Sequence, residues 1–142
     1  MTGRVLVGFD DSEGGRRALE YALAEHADAA ITALYVIDPI GPGYGALGGG
    51  PGYAEGWYEA ARERARDLLE EATALAEERC VDIDTATAVG RPASAIVEHA
   101  TEHGVDHVVT GSHGREGVSR VLLGSVAETV VRRSPVPVTV VR

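Results

Sequence analysis

Along the 142 residues, short apolar runs alternate with longer stretches in which apolar residues recur every three or four positions. The short runs, at about 4–9, 31–37, 82–89, 105–110 and 136–141, read as five strands, and the stretches between them as four helices. Strands separated by helices of this length argue for right-handed βαβ units and an α/β fold on one parallel sheet. Three of the runs are nearly continuously apolar, as a strand covered on both faces should be. The third differs: Val81, Ile83, Thr85, Thr87 and Val89 alternate with Asp82, Asp84, Ala86 and Ala88, which suggests a sheet edge. In the fifth, Pro137 interrupts Val136, Val138, Val140 and Val141; proline cannot donate to a ladder, so this run suggests the opposite edge. Strands one, two and four are then interior.

The helices show their ends as well as their faces. The first starts at Ser12 as N-cap and buries Ala18, Leu19, Ala22 and Leu23; the second carries Ala61, Ala65, Leu68, Leu69, Ala72, Leu75 and Ala76 on one face. The third has Pro92 at its first position, Ile96, Val97 and Ala100 inward, and Gly104 at its C-terminal stop. The fourth begins at Ser125, where Ser125-Val126-Ala127-Glu128 reads as a capping box. These stripes are core rather than cofactor sites. Between strand two and helix two, residues 41–56 hold eight glycines with Pro42 and Pro51. Such a segment cannot bury enough apolar surface to order itself and is expected to be mobile. Two readings stand beside each other: a lid with Tyr44, Tyr53 or Trp57 as ligand contacts, or a flexible insertion that touches no ligand.

The length suits one domain, 1–142, large enough to bury roughly two-thirds of its unfolded surface. No stretch approaches the ~18 apolar residues of a membrane span, and the N-terminus lacks a signal-peptide pattern, so a cytoplasmic protein without a membrane partner is expected. Cys80 is the only cysteine, which rules out an internal disulfide and assigns the thiol no chemistry. A net charge of −9, with arginines scattered among acids, argues against nucleic acid as a partner. All 13 basic residues are arginine. An acidic, lysine-free surface suits a halophilic cytoplasm, although GC-rich codon usage would also replace lysine with arginine.

The chemistry concentrates at the fourth strand-to-helix connection. Gly111-Ser112-His113-Gly114 is followed by nine residues, Arg115 to Leu123, and then by Gly124-Ser125. Glycine there allows close approach of the backbone to a ligand, so that successive N–H groups and a helix N-terminus can face one anion. A P-loop is excluded because GxxxxGK[ST] requires a lysine; GxGxxG is excluded because Gly111, Gly114 and Gly117 are each three apart.

The remaining spacing, G-x2-G-x9-G-S, resembles the nucleotide-binding signature of the ATP-binding branch of the universal stress protein family. Val5 to Asp10 with Ser12-Glu13 is similar to that family's first strand and D-x-S-E turn, Tyr35 to Asp38 to the end of its second strand, and Val89-Gly90-Arg91-Pro92 to its third strand-to-helix turn. Leu123 to Val126 and Pro135 to Val138 extend the likeness over nearly the whole chain, leaving only about 40–56 without a counterpart. The resemblance implies an open, doubly wound, adenine nucleotide α-hydrolase-like sheet of order 3-2-1-4-5, in agreement with the edges read above.

It also implies a site. Ligands of such sheets sit beyond the carboxyl ends of the strands where the strand order reverses, here between strands one and four. Asp10, with Gly8, Phe9 and Ser12 around it, would accept hydrogen bonds from the ribose or adenine, and Val36 would read the adenine edge through its backbone. Gly111, Ser112, His113 and Gly114 would cradle ribose and phosphates; Gly124, Ser125 and Val126 would offer N–H groups and a hydroxyl to the phosphate tail. Each side chain has a plainer reading: Asp10 and Ser125 as helix caps, His113 as a solvent-facing loop residue, Arg115 and Arg120 as surface charges rather than phosphate screens. The ligand implied is ATP, with Mg2+ carried by the nucleotide, since no carboxylate cluster with metal-ligand spacing accompanies the loop. With no lysine, base or metal carboxylates, a nucleotide-dependent stress-response module without efficient catalysis is the leading expectation. A slow ATPase or autophosphorylating enzyme using Ser112, Ser119 or Ser125 is the second, and an empty dimeric scaffold the third. The fifth strand, with Val136, Val138 and Val140, is expected to pair with its own copy in a homodimer.

Overall fold

The computed structural model describes residues 3–39, 51–112 and 123–142. Among these residues nine elements follow in strict alternation: β1 (Arg4–Gly8), α1 (Glu13–Glu25), β2 (Ala30–Ile37), α2 (Pro51–Glu78), β3 (Ile83–Val89), α3 (Pro92–Glu102), β4 (His107–Gly111), α4 (Ser125–Arg133) and β5 (Val138–Val141). The strands form one parallel sheet of order β3-β2-β1-β4-β5, as expected. Both edges fall where the alternation in β3 and the proline before β5 place them.

Alternation along the inner strands divides the core in two. Val5 and Val7 of β1 and Phe9 just beyond it, with Ile31, Ala33, Tyr35 and Ile37 of β2, face α1 and α2, where Ala18, Leu19, Ala22, Ala65 and Ala72 are buried. Leu6, Leu34 and Val108 face the other way, onto Ile96 and Ala100 of α3 and Val130 of α4. A right-handed crossover from β1 outward puts its helix on one face; the crossover from β3 back across to β4 puts its helix on the other. The chain therefore leaves β1 and β4 toward opposite faces, and a crevice opens between their C-terminal ends.

Helix ends follow local rules with two corrections. Ser12 caps α1, accepting Gly15 N–H at 3.0 Å. Pro92 opens α3, and Gly104, at φ +61°, lies just beyond its end. The capping box at Ser125 does not form. Gly124 is the N-cap, Ser125 is the exposed first residue of α4, and Glu128 pairs with Arg132 at 2.8 Å instead. The reason is a tether: Gly124 N–H donates to Ser112 O, which holds Gly124 extended at the cap position and starts the helix one residue earlier than the box requires. The second correction concerns the glycine-rich segment. Its last part, from Pro51, is already helical, with proline at the position that lacks an intrahelical donor in any case; residues 40–50, with Tyr44, lie outside the described ones. Trp57, read above as a possible lid contact, packs beside the α1–α2 core. Val136 and Pro137 precede β5 rather than belonging to it, and Pro137 joins β4 through its carbonyl, which accepts Val108 N–H at 3.0 Å. Among the described residues, no helix is long and apolar enough to cross a membrane.

Candidate functional site

The floor of the crevice is main chain against main chain. A Cβ on Gly111, the last residue of β4, would stand 2.6 Å from the carbonyl carbon and oxygen of Gly14 in the first turn of α1. A Cβ on Gly15 would stand 2.5 Å from Asp10 Oδ1 and 2.8 Å from Asp10 N. Gly15, which matches no motif and belongs to a helix where glycine is unfavourable, is thus what lets α1 approach Asp10, as Gly111 lets it approach the end of β4. That cost was the one signal for it in the sequence. Gly8 is tight in a milder way, its Cβ position being 3.3 Å from Ile96 Cδ1.

Asp10 and Ser12 form a nested turn. Asp10 Oδ1 accepts Ser12 N–H at 2.9 Å and the Ser12 hydroxyl, whose oxygen in turn accepts from Gly15. Ser12, not Asp10, is the cap of α1, and it is braced by this nested turn. The turn occupies the Ser12 hydroxyl as both donor and acceptor and fixes the Asp10 carboxylate through one oxygen, so Oδ2 is the atom Asp10 has to offer a ligand. Phe9 is spoken for: its ring is 4% exposed in the α1–α2 core and its N–H donates to Leu34 O at 2.9 Å.

Val36 stands where the ladder opens. The β1–β2 register ends at Gly8↔Leu34, whereas β2 runs on to Ile37. Leu34 O accepts from the β1 side and Ile37 O from Gly90 on the β3 side. By the alternation of backbone groups, Val36 N–H and C=O turn toward β1 beyond its last rung. Its side chain packs against the α3–α4 core.

Ser112 is the junction of the phosphate side. It is 6% exposed, its N–H donates to Val141 O at 2.8 Å, and its carbonyl accepts Gly124 N–H. Both ends of the G-x2-G-x9-G-S stretch are thereby joined. Gly124 N–H, expected above to serve a ligand, is used in this closure. The first intrahelical bond is Glu128 N–H to Gly124 O at 2.9 Å, so Ser125, Val126 and Ala127 carry the N–H groups that α4 itself does not use. His113, Gly114 and Arg115, with Ser119 and Arg120, lie outside the described residues.

On the α2 side, Arg64 forms an ion pair with Asp11, the neighbour of Asp10, and this carboxylate, with a smaller contribution from Tyr35, raises the guanidinium above its ordinary value. Among the described residues no three His, Cys, Asp or Glu side chains gather as a metal site would require. The arrangement can hold an anion and a hydrogen-bonding heterocycle. Nothing described in it is built as a nucleophile with its base.

A doubly wound α/β sheet with a glycine-lined crevice at its switch point is the class that fold and site define. The chain matches the universal stress protein family over residues 1–142 and belongs to it. It is 35% identical to the universal stress protein MJ0531 of Methanocaldococcus jannaschii, over 98% of this chain and 81% of that one. Among solved structures it is similar to the protein MJ0577 of the same organism, with a TM-score of 0.84 and 29% identity over 99% of this chain and 96% of that one. It is also similar to a universal stress protein in complex with cAMP, with a TM-score of 0.67 and 30% identity over 99% and 96% of the two chains.

Proposed function

We propose that this chain binds an adenine nucleotide, ATP foremost, in the crevice between β1 and β4, and acts as a nucleotide-dependent stress-response module. The observation that carries this reading is convergence. Asp10 Oδ2, the Val36 backbone and the N-terminus of α4 come from three distant parts of the sequence, and the topology puts all three at the carboxyl end of the sheet, where Gly111 has no room for a side chain against the Gly14 backbone. A carboxylate and a strand-end peptide suit ribose and adenine, and unused helix N–H groups suit phosphate. The cAMP complex of a relative supports the adenosine half of the assignment. In this reading Gly8, Phe9 and Ser12 shape the Asp10 turn, Gly111 to Gly114 and Arg115 cradle the ligand, Ser125 and Val126 meet the phosphates, and Mg2+ arrives with the nucleotide. Calorimetry with Mg-ATP at high ionic strength tests it. Saturable binding that Gly114→Val removes is the expected result, and no heat from the unaltered protein would reject the reading.

A slow phosphorylating activity is the second reading, favoured by one observation: Ser125 is exposed at the first position of α4, where a phosphate on its oxygen would meet the helix N-terminus. Ser112, 6% exposed, is poorly placed to accept. Radiolabel from γ-labelled ATP that disappears in Ser125→Ala would establish this activity; its absence leaves binding alone. We further infer a homodimer formed through the outer edge of β5, which pairs with β4 on its inner side. Val138 and Val140 lie in that strand, and Val136 leads into it. A monomer mass by light scattering would refute it.

A further inference from the structure

The C-terminal end of α3 carries a histidine pair that the nucleotide reading does not use. His99 and His103 are four residues apart, which puts both side chains on one face of the helix. Their rings lie face to face, with 3.9 Å between centroids and 13° between planes. His103, the C-cap, is exposed and His99 is half-buried. His103 Nδ1 is 3.1 Å from His99 O; a carbonyl only accepts, so in the neutral ring Nδ1 carries the proton and Nε2 keeps its lone pair. This bond helps to satisfy a carbonyl of the last turn. It is also the way metal-binding imidazoles are oriented, one ring N–H held by a main-chain carbonyl while the other nitrogen is left to the ion. Among the described residues, no hydrogen bond reaches His103 Nε2 or either ring nitrogen of His99.

We propose that His99 and His103 form a two-imidazole chelate for a first-row transition-metal dication, Cu2+ foremost, where α3 ends and the chain turns into β4, at the pole of the sheet opposite the crevice. Two histidines at this spacing on one helix face are a known way of holding Zn2+. Metal–nitrogen bonds of about 2.0–2.1 Å put two nitrogens on one ion roughly 3–4 Å apart, a separation that rings stacked at 3.9 Å already approach. Rotation of the exposed His103 ring closes the bite. Both ligands must be neutral, and at His99 burial, with the neighbouring His103 adding to it, favours the neutral ring against the opposing pull of Glu102. The end of a helix and a net charge of −9 both favour a cation; the Arg4 guanidinium, which donates to His103 O at 2.9 Å, works against it. With two protein donors, water completes the coordination shell and the ion stays exchangeable. Imidazole selects Cu2+, Ni2+ and Zn2+ over Mg2+, and Cu2+ binds most tightly of that group. This site stands independently of the nucleotide reading.

Titration of the untagged, metal-stripped chain with Cu2+ in a non-coordinating buffer, followed by calorimetry and electron paramagnetic resonance, tests the proposal. His99→Gln and His103→Gln remove the two ligands, and His26→Gln alters the other histidine pair, which involves His107. Circular dichroism checks the fold of each variant. The expected result is saturable Cu2+ binding with hyperfine structure from two imidazole nitrogens. Either His99→Gln or His103→Gln should weaken it by about tenfold or more, and His26→Gln should leave it unchanged. Zn2+ should bind the same site more weakly, and Mg2+ should not bind it. Absence of saturable Cu2+ binding by the unaltered protein would overturn the proposal. So would affinities within about twofold of the unaltered protein in both ligand variants, or a loss produced by His26→Gln. A loss in only one of the two ligand variants would signal a single imidazole and would equally reject the chelate. His103 is exposed, so His103→Gln with its spectrum decides if His99→Gln disturbs packing.

Discussion

At the scale of single residues, glycines set what the crevice can be, and their contributions differ in sign. Gly111→Ala would drive a Cβ to 2.6 Å from the Gly14 backbone, and backbone yields less readily than a side chain. A loss of about 2–3 kcal/mol, measured by urea unfolding, is expected from such overpacking. Gly56→Ala is the counter-case: the position is helical and exposed with no atom within 4 Å of its Cβ, so a gain of about 0.5–1 kcal/mol is expected in the same assay. Composition cannot separate these two glycines, because the difference lies in what a distant segment brings alongside. For that reason the Gly111 motif was legible from spacing, whereas Gly15, whose necessity arises only when α1 meets Asp10, was not. Asp10 illustrates the remaining ambiguity. Its carboxylate braces the Ser12 cap through Oδ1, which leaves Oδ2 for the ligand proposed above.

Among the elements, α4 separates local signals from tertiary ones. The order of the strands was readable because edge positions leave marks in the residues themselves, the alternation of β3 and the proline before β5. The start of α4 was not, because the bond from Gly124 N–H to Ser112 O crosses a stretch that no local rule spans. With Gly124 as N-cap, Ser125→Ala should change stability by less than about 0.5 kcal/mol, whereas a Ser125 cap would cost about 1 kcal/mol on removal. Ser12→Ala, which removes a cap that does form, should cost about 1 kcal/mol. If Ser125 meets phosphate, its alanine variant loses affinity without losing stability, and paired urea and calorimetric titrations on the two serine variants reveal that split.

For the whole molecule, histidines at the end of the sheet remote from the crevice set an acid limit. Burial lowers the His107 imidazole below 6.5, with the nearby charge of His26 adding to it; burial likewise lowers His99, with His103 adding. The His26 and His107 rings lie 5.1 Å apart, and His107 Nε2 is 2.6 Å from Thr139 Oγ1. A lowered histidine means that the unfolded chain binds more protons, so stability is complete above the unfolded value and declines as pH falls through it toward the folded one. The unfolding temperature should therefore decrease from about pH 7.5 to 5.5, and His107→Gln should flatten that decline. The charge of −9 acts separately. Screening of like charges should raise the unfolding temperature between about 0.1 and 2 M KCl, and a flat response would remove the ground for a halophilic reading.

Ser112 has a thermodynamic consequence. Joining the two ends of a flexible segment carries an entropy cost that rises with its length. Here Ser112 O and Gly124 N–H meet. Folding itself therefore sets the start of α4 beside the end of β4, and the entropy of bringing these two ends together is met by the fold.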